Sequence, residues 1–317
     1  SWRDHSASSA LFEILASGNK TFGDRAFNAY LAQTGSSPLT DEQKLLLLKK
    51  VIPFATGNDR RNLILTAAGK LKTYQALFFA APFLDDPGTS AAAARAVMFI
   101  ALPTVDSRTG MYGNNVREIL EKTLTCLAGP ESEYEREMVS RYIDGMLPDE
   151  GFVPMFNGKD LSGWQGLVEN PLVRSRMRRS ELERRQAEAD VRVPSSWTVR
   201  DGCIWFSGEG DNLCTIREYG DFEMLVDWVI SRDGDSGIYL RGTPQVQIWD
   251  TSRSDVEANV GSGGLYNNQV NPSKPLQVAD NPVGEWNSFR ILMTGEKVSV
   301  WLNGILVVDN VTMENYW

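Results

Sequence analysis

The stretch SGIYLRGTPQVQIWD, residues 236–250, sets polar and aromatic side chains at alternate positions of two short β runs. Successive residues of a strand face opposite sides, so Tyr239 and Arg241 share one side, against Ile238 and Leu240. In the second run Gln245, Gln247 and Trp249 share a side; Val246, Ile248 and, as the strand ends, Asp250 take the other. Folded as a hairpin, one surface would carry Tyr239, Arg241, Gln245 and Gln247, with Trp249 beside them. Amides and a guanidinium suit hydroxyl and carbonyl oxygens, and an aromatic ring offers a stacking plane, a set that fits a sugar. The plain alternative is the solvated exterior of a sheet, which alternation alone does not distinguish.

Other groups able to do chemistry lie nearby in sequence. Asp227, in EMLVDWVI, shares a face with Glu223 and Leu225, opposite Met224, Val226 and Trp228. A carboxylate among such neighbours is a candidate base, and an idle strand-surface carboxylate would read the same way. Asp250 opens the loop DTSRSD, where it can accept hydrogen bonds, help hold a divalent ion, or simply cap a turn. The long loop GSGGLYNNQVNPSKP brings Tyr266, Asn267, Asn268 and Lys274, the last a candidate cation or acid over the sheet. There is one histidine, His5, in a polar N-terminal stretch, and the three cysteines Cys126, Cys203 and Cys214 match no metal spacing. One histidine excludes a multi-histidine zinc site, and its place in that stretch argues against a Ser-His-Asp triad, so chemistry falls to carboxylates, Lys, Arg, Tyr, amides or an oxygen-held metal.

A chain of 317 residues is long enough for two cores, and 42% apolar with 23% charged residues is an ordinary globular composition. The net charge of −9 argues against nucleic acid or an anionic membrane as the main partner. No apolar run approaches the roughly 20 residues of a membrane span.

Two kinds of element must position these groups. Residues 6–147 carry helical spacing in DEQKLLLLKKVIPFA, NDRRNLILTAAGKL, TYQALFFAAPFL, TSAAAARAVMFIAL, NVREILEKTLTCLAG and ESEYEREMVSRYIDGML. The pairs Pro53-Phe54 and Pro82-Phe83, each near a helix end, hint at helix–turn–helix repeats, with an ordinary bundle as the alternative. From 151 onward short runs rich in Trp, Val, Ile and Phe alternate with Gly, Asn and Asp, which predicts an antiparallel sandwich or barrel. In VSVWLNGILV, Val298, Val300 and Leu302 share a face and Asn303-Gly304 marks a hairpin turn. Residues 170–193, dense in Arg and Glu, predict one inserted helix. Its arginines Arg174, Arg178 and Arg179 read as a cationic patch or, more simply, as a solvated face with i,i+4 ion pairs.

The ordered motifs FNGKDLSGW, DNLCTIREYGDFEMLVDW, DGDSGIYLRG, PQVQIWD, GGLY, GEWNSFRI and VWLNGILVVD resemble the DUF1080 or 3-keto-disaccharide hydrolase family, also called 3-keto-glycoside lyases/hydratases. The resemblance spans about residues 151–317. It implies a concanavalin A-like jelly roll behind an N-terminal HEAT-like helical domain of residues 1–147. Members usually continue past the point where this chain stops, which the resemblance reads either as a truncated C-terminal end or as a different natural one.

The resemblance also implies sugars oxidised at C3 as substrates, supplied by a partner sugar 3-oxidoreductase, and a periplasmic or secreted location with the signal peptide already removed. A C3 ketone acidifies the C2 proton; a base removes it, the enolate is stabilised, and the C1 substituent leaves. Hydration of the enone completes net hydrolysis. Within this scheme Asp227, Arg241 and Lys274 are the expected catalytic groups. Tyr239, Gln245, Gln247, Trp249, Asp250, Tyr266 and Asn267 are the expected substrate contacts. Spacing assigns no cofactor; a divalent ion would be Ca²⁺, Mg²⁺ or Mn²⁺, given oxygen ligands. Two other readings compete: a non-catalytic carbohydrate-binding module, and a retaining glycosidase, for which Asp221, Glu223 and Asp227 have the wrong spacing.

Overall fold

The computed structural model describes residues 7–19, 21–104, 109–242 and 245–315. His5 and the hairpin tip at 243–244 lie outside the described residues. Eight helices come first: α1 (Ser8–Ala16), α2 (Gly23–Ser36), α3 (Asp41–Val51), α4 (Asn58–Ala68), α5 (Tyr74–Ala80), α6 (Ser90–Ala101), α7 (Asn114–Cys126) and α8 (Glu133–Gly145). Then follow β1 (Trp164–Gly166), α9 (Pro171–Arg176), α10 (Arg179–Ser196), β2 (Trp197–Arg200), β3 (Cys203–Phe206), β4 (Leu213–Thr215) and β5 (Phe222–Trp228). The last strands are β6 (Asp235–Tyr239), β7 (Gln245–Trp249), β8 (Asn287–Thr294), β9 (Lys297–Leu302) and β10 (Ile305–Thr312). None of the described helices is long and apolar enough to cross a membrane.

Local chemistry explains the helix ends. Thr40 caps α3 through a capping box: its hydroxyl accepts from the Gln43 amide at 3.2 Å while Gln43 Oε1 accepts from the Thr40 amide at 3.1 Å. Both Pro-Phe pairs fall in single 3₁₀ turns, Ile52–Phe54 and Ala81–Asp85, that end α3 and α5, where proline removes the donor a longer helix would use. Residues 170–193 form two helices rather than one. Met177 and Arg178 take extended backbone angles, so the run breaks there, and α10 continues to Ser196. The pairs Arg179–Glu183, Arg184–Glu188 and Arg185–Glu181 lace α10 at i,i+4 spacing, so its charge is a solvated face. Arg174 instead donates to the Val168 and Glu169 carbonyls.

Two separate hydrophobic cores result. One lies among α1–α8 around Phe27, Tyr30, Leu65 and Val97. The other is β-built. Antiparallel strands in the order β10-β9-β8-β5 form one layer, and Phe289, Ile291, Val298, Val300 and Leu302 on its inner face are fully buried. Ile238, Val246 and Ile248 of the β6–β7 hairpin pack against that face from the other side. A short segment extends the hairpin layer: Gln247 donates to Gly264 O at 2.9 Å and Gly263 donates to Gln247 O at 2.8 Å. Alternation therefore aims the remaining hairpin side chains away from the core.

The outer face of the four-stranded sheet meets the helices. Lys49 and Lys50 of α3 pair with Asp227 at 2.5 Å and Glu285 at 2.6 Å, and Thr40 Oγ1 donates to the Asn303 carbonyl at 2.7 Å. Phe289→Ala removes a ring shared by both β layers. The expected cost is about 3–5 kcal/mol in urea unfolding; a loss below about 1 kcal/mol would show that the layers do not share this core.

Candidate functional site

The β6–β7 register sets Asp235 opposite Trp249, Gly237 opposite Gln247 and Tyr239 opposite Gln245 on the outward face. Gly237 makes this face possible, because a Cβ there would stand 2.6 Å from Gln245 Oε1. The Gln245 amide folds over the strand and donates to Gln247 Oε1, and Gln247 Nε2 donates to Asp235 Oδ1 at 2.8 Å. Gln247 is only 1% exposed, so this chain also satisfies polar atoms that burial would otherwise leave costly. The second oxygen of Asp235 lies 3.6 Å from Arg253, which also grips Asp255 through two bonds of 3.0 and 2.6 Å. The Arg253 guanidinium sits 5.9 Å from the Trp249 ring centroid, and Tyr266 meets Trp249 edge-on at 5.5 Å. Tyr239 and Tyr266 flank the face, each about half exposed.

A carboxylate, two amides, a guanidinium and aromatic rings thus share one side of the hairpin, where Asp235, Tyr239 and Tyr266 are exposed and Gln247 and Trp249 are buried beneath them. Trp249 is anchored from behind: its amide donates to Ser262 Oγ at 2.9 Å, and the Ser262 amide donates to Asp280 Oδ2 at 3.0 Å. Burial pushes the Asp280 carboxyl above its ordinary range, while its hydrogen bonds with Ser262 pull the other way.

Tyr239, Gln245, Gln247, Trp249 and Tyr266 therefore come together, and other expected residues do not. Asp227 belongs to β5, whose Met224, Val226 and Trp228 fill the β core, so its carboxylate points to the helices on the opposite side of the sheet pair. Its sequence neighbours are also engaged there: Asp221 accepts from the Gly295 amide at 2.7 Å and Glu223 pairs with Arg290 at 2.5 Å. Arg241 leaves the Tyr239 surface because β6 ends at Tyr239 and Arg241 takes a left-handed φ of 53°. Its guanidinium donates to the Gly295 carbonyl in the β8–β9 turn.

The loop residues have structural partners. Asp250 is fully buried and accepts from the Asp233 amide at 2.7 Å, the Ser252 amide at 2.8 Å and the Ser252 hydroxyl at 2.6 Å. The Ser252 hydroxyl, then the Asp233 amide, hold its carboxyl below the ordinary range. Lys274 pairs with Glu257 at 2.5 Å. The Asn267 carbonyl accepts from Gln269 Nε2 at 3.3 Å, and Asn268 Nδ2 donates to Thr312 O at 2.8 Å, pinning the loop.

Asp235 and Arg253 were not singled out by sequence. Asp235 had a signal, since it lies two residues before Gly237 and so shares its face; Arg253 sits in a loop with no periodicity to place it. Among the described residues no group of three or more His, Cys, Asp or Glu is arranged to hold a metal ion.

A model of the 3-keto-alpha-glucoside-1,2-lyase-like domain matches residues 151–317, which contain the whole of this face. The chain belongs to that family. A curated 3-keto-disaccharide hydrolase from Bacteroides thetaiotaomicron is 25% identical over 197 residues, covering 50% of this chain and 59% of the relative. This chain thus spans less than two thirds of that relative's length. Two structures from Parabacteroides distasonis, both described as glycosyl hydrolases, are 24% and 26% identical. They cover 50% and 51% of this chain, and 65% and 71% of their own, with TM-scores of 0.38 and 0.37. Scores this low leave the architecture of the lyase-like domain to be read from its own strands.

Asp250 yields a pH test within the lyase-like domain. A carboxyl held below its unfolded value of 3.8 stabilises the fold above that pH, and the benefit is lost as pH falls through the folded value. Asp250→Asn is expected to lower the melting temperature at neutral pH, with the gap to wild type closing below about pH 4. A gap that stays constant on acidification would show that the charge of Asp250 contributes nothing.

Proposed function

We propose that this chain is a carbohydrate-active enzyme that cleaves 3-keto-glycosides on the outward face of β6–β7. Family membership supports the substrate class. The observation that carries the reading is Asp235: one oxygen anchored by Gln247, the other facing Arg253, on a surface with exposed tyrosines. This gives a positioned base beside a permanent cation.

In the proposed reaction Asp235 takes the C2 proton, and the C2–H electron pair enters an enolate with the C3 carbonyl. Arg253 stabilises the enolate oxygen. Collapse of the enolate forms the C1–C2 double bond and breaks the C1–O bond, and the departing oxygen takes up the proton that Asp235 removed from C2, leaving as the free aglycon and restoring the carboxylate. Water then adds hydroxyl to C1 and a proton to C2, giving net hydrolysis. Gln245 and Tyr266 would meet sugar hydroxyls, while Gln247 and Trp249 hold the face in shape. Asp235 and Arg253 here take the roles first expected of Asp227 and Arg241.

Further parts of the reading extend beyond this face. We take the β part as a concanavalin A-like jelly roll of residues 151–317 and the helical part, residues 1–147, as a HEAT-like scaffold. The ketone would come from a sugar 3-oxidoreductase acting beforehand, in a periplasmic or secreted setting. A divalent ion polarising the ketone would have to draw its ligands from carboxylates and carbonyls.

Incubation with a 3-keto-glucoside bearing a chromogenic aglycon tests the reading, with enone absorbance and aglycon release as signals. Wild type should turn over, Asp235→Asn should lose about 100-fold or more, and Arg241→Ala should stay within a few-fold. Saturable binding without turnover would leave a carbohydrate-binding module in place of the enzyme, and full activity in Asp235→Asn would remove Asp235 from the chemistry.

A further inference from the structure

The two glutamines of the hairpin face form a chain whose direction is fixed by chemistry. Gln247 Nε2 donates to Asp235 Oδ1 at 2.8 Å and to the Ile248 carbonyl at 3.3 Å. A carbonyl oxygen can only accept, so the nitrogen of this amide must lie on that side and its Oε1 on the other. Gln247 Oε1 in turn can only accept, so the Gln245 atom that meets it must be Nε2. Gln245 Oε1 is thereby turned out of the chain. It lies over Gly237, where a Cβ would stand 2.6 Å from it. Gln245 is partly buried, and its Oε1 stays open to solvent with no hydrogen-bond partner among the described residues.

The face therefore presents an acceptor at one fixed point, between Asp235 and Tyr239 along β6. Successive residues on one side of a strand are about 7 Å apart, so a sugar carbon held at Asp235 puts its own hydroxyl within reach of that point. Arg253 approaches Asp235 from the Trp249 end of the hairpin. With C2 at Asp235 and the C3 oxygen at Arg253, the C1–C2 edge of the ring lies towards Gly237. The C1 oxygen is a glycosidic ether and carries no proton. The donor on that edge is the 2-hydroxyl.

We infer that Gln245 sets substrate specificity at C2: its Oε1 accepts a hydrogen bond from the 2-hydroxyl, and rings without a donor there bind poorly. Placing C2 at Asp235 rests on the proposed reaction, whereas the direction of the bond rests on the amide chain alone. Gly237 is part of the same arrangement, because a side chain there would displace Gln245 Oε1.

The test is isothermal calorimetry with methyl 3-keto-α-D-glucoside and its 2-deoxy counterpart. Asp235→Asn is the background, since asparagine still accepts from Gln247 while turnover stops. It is expected to bind the parent sugar about tenfold more tightly than the 2-deoxy sugar. Gln245→Met, added to that background, should abolish the preference. Gln245→Glu, which can accept but not donate, should keep it. A preference that survives Gln245→Met, or disappears in Gln245→Glu, would overturn the inference. Wild-type turnover of the parent with no preference that depends on Gln245 would sink it too, and leave the hairpin reading standing. The expected preference without wild-type turnover would uphold it on a face that binds and does not cleave. No saturable binding of either sugar would remove both.

Discussion

The Asn303 side chain is fully buried, and the residue ties the four-stranded sheet both to the segment that precedes β8 and to the helices. Its Oδ1 accepts from the Ser288 amide at 2.9 Å, and its Nδ2 donates to Ala279 O and Asn287 Oδ1, each at 2.8 Å. Its backbone closes on Ser288 O at 2.8 Å and adopts a left-handed φ of 53°, which asparagine tolerates better than most residues. The β9–β10 turn, the start of β8 and the segment before it are thus fixed by one amide. The same residue offers its carbonyl to Thr40, the cap of α3. Where α3 begins sets where Lys49 and Lys50 fall, and so which carboxylates of the sheet they meet. Loss of this amide would leave several buried partners unsatisfied at once, a larger effect than any surface ion pair here could offset.

Much of this was legible because period-2 alternation is a local property that packing reinforces. Val298, Val300 and Leu302 are fully buried as read, Asn303-Gly304 turns the chain with two positive φ angles, and Asp227 faces away from Met224 and Trp228 as expected. What alternation does not contain is which of two sheets a face belongs to. Alternation puts Asp227 on the correct side of its strand, but the helices that cover β5 come from far earlier in the chain, so that side is the one opposite the hairpin face. Arg241 shows a different limit. The two-residue period was carried two residues past the strand end, and one left-handed residue redirected the side chain to Gly295. Asp235 shows the converse limit, since β6 begins one residue before the alternating run that starts at Ser236.

Loop residues were the least legible, for a physical reason. Asp250 and Glu314 satisfy clusters of backbone amides, and their chemistry resembles that of functional carboxylates until the partners are known. Glu314 accepts from the amides of Gln269, Val270 and Asn271, which drives its carboxyl down to about 2. A side chain that organises a loop and one that organises a ligand draw on the same donors and acceptors.

The two faces of the β unit solve opposite problems. The outer face of the four-stranded sheet is covered by helices, so its charges must be matched by Lys49, Lys50 and Arg290 or be desolvated at a loss. The hairpin face has no such cover at Tyr239, Asp235 and Tyr266, and can keep a carboxylate whose partners are amides and a shared guanidinium. Gln245 and Gln247 orient that carboxylate without neutralising it, since amide donors add no charge. Gln247 fixes the Asp235 oxygen that Arg253 does not face. The amide chain, more than the aromatic edges around it, fixes where the Asp235 carboxylate stands on this face.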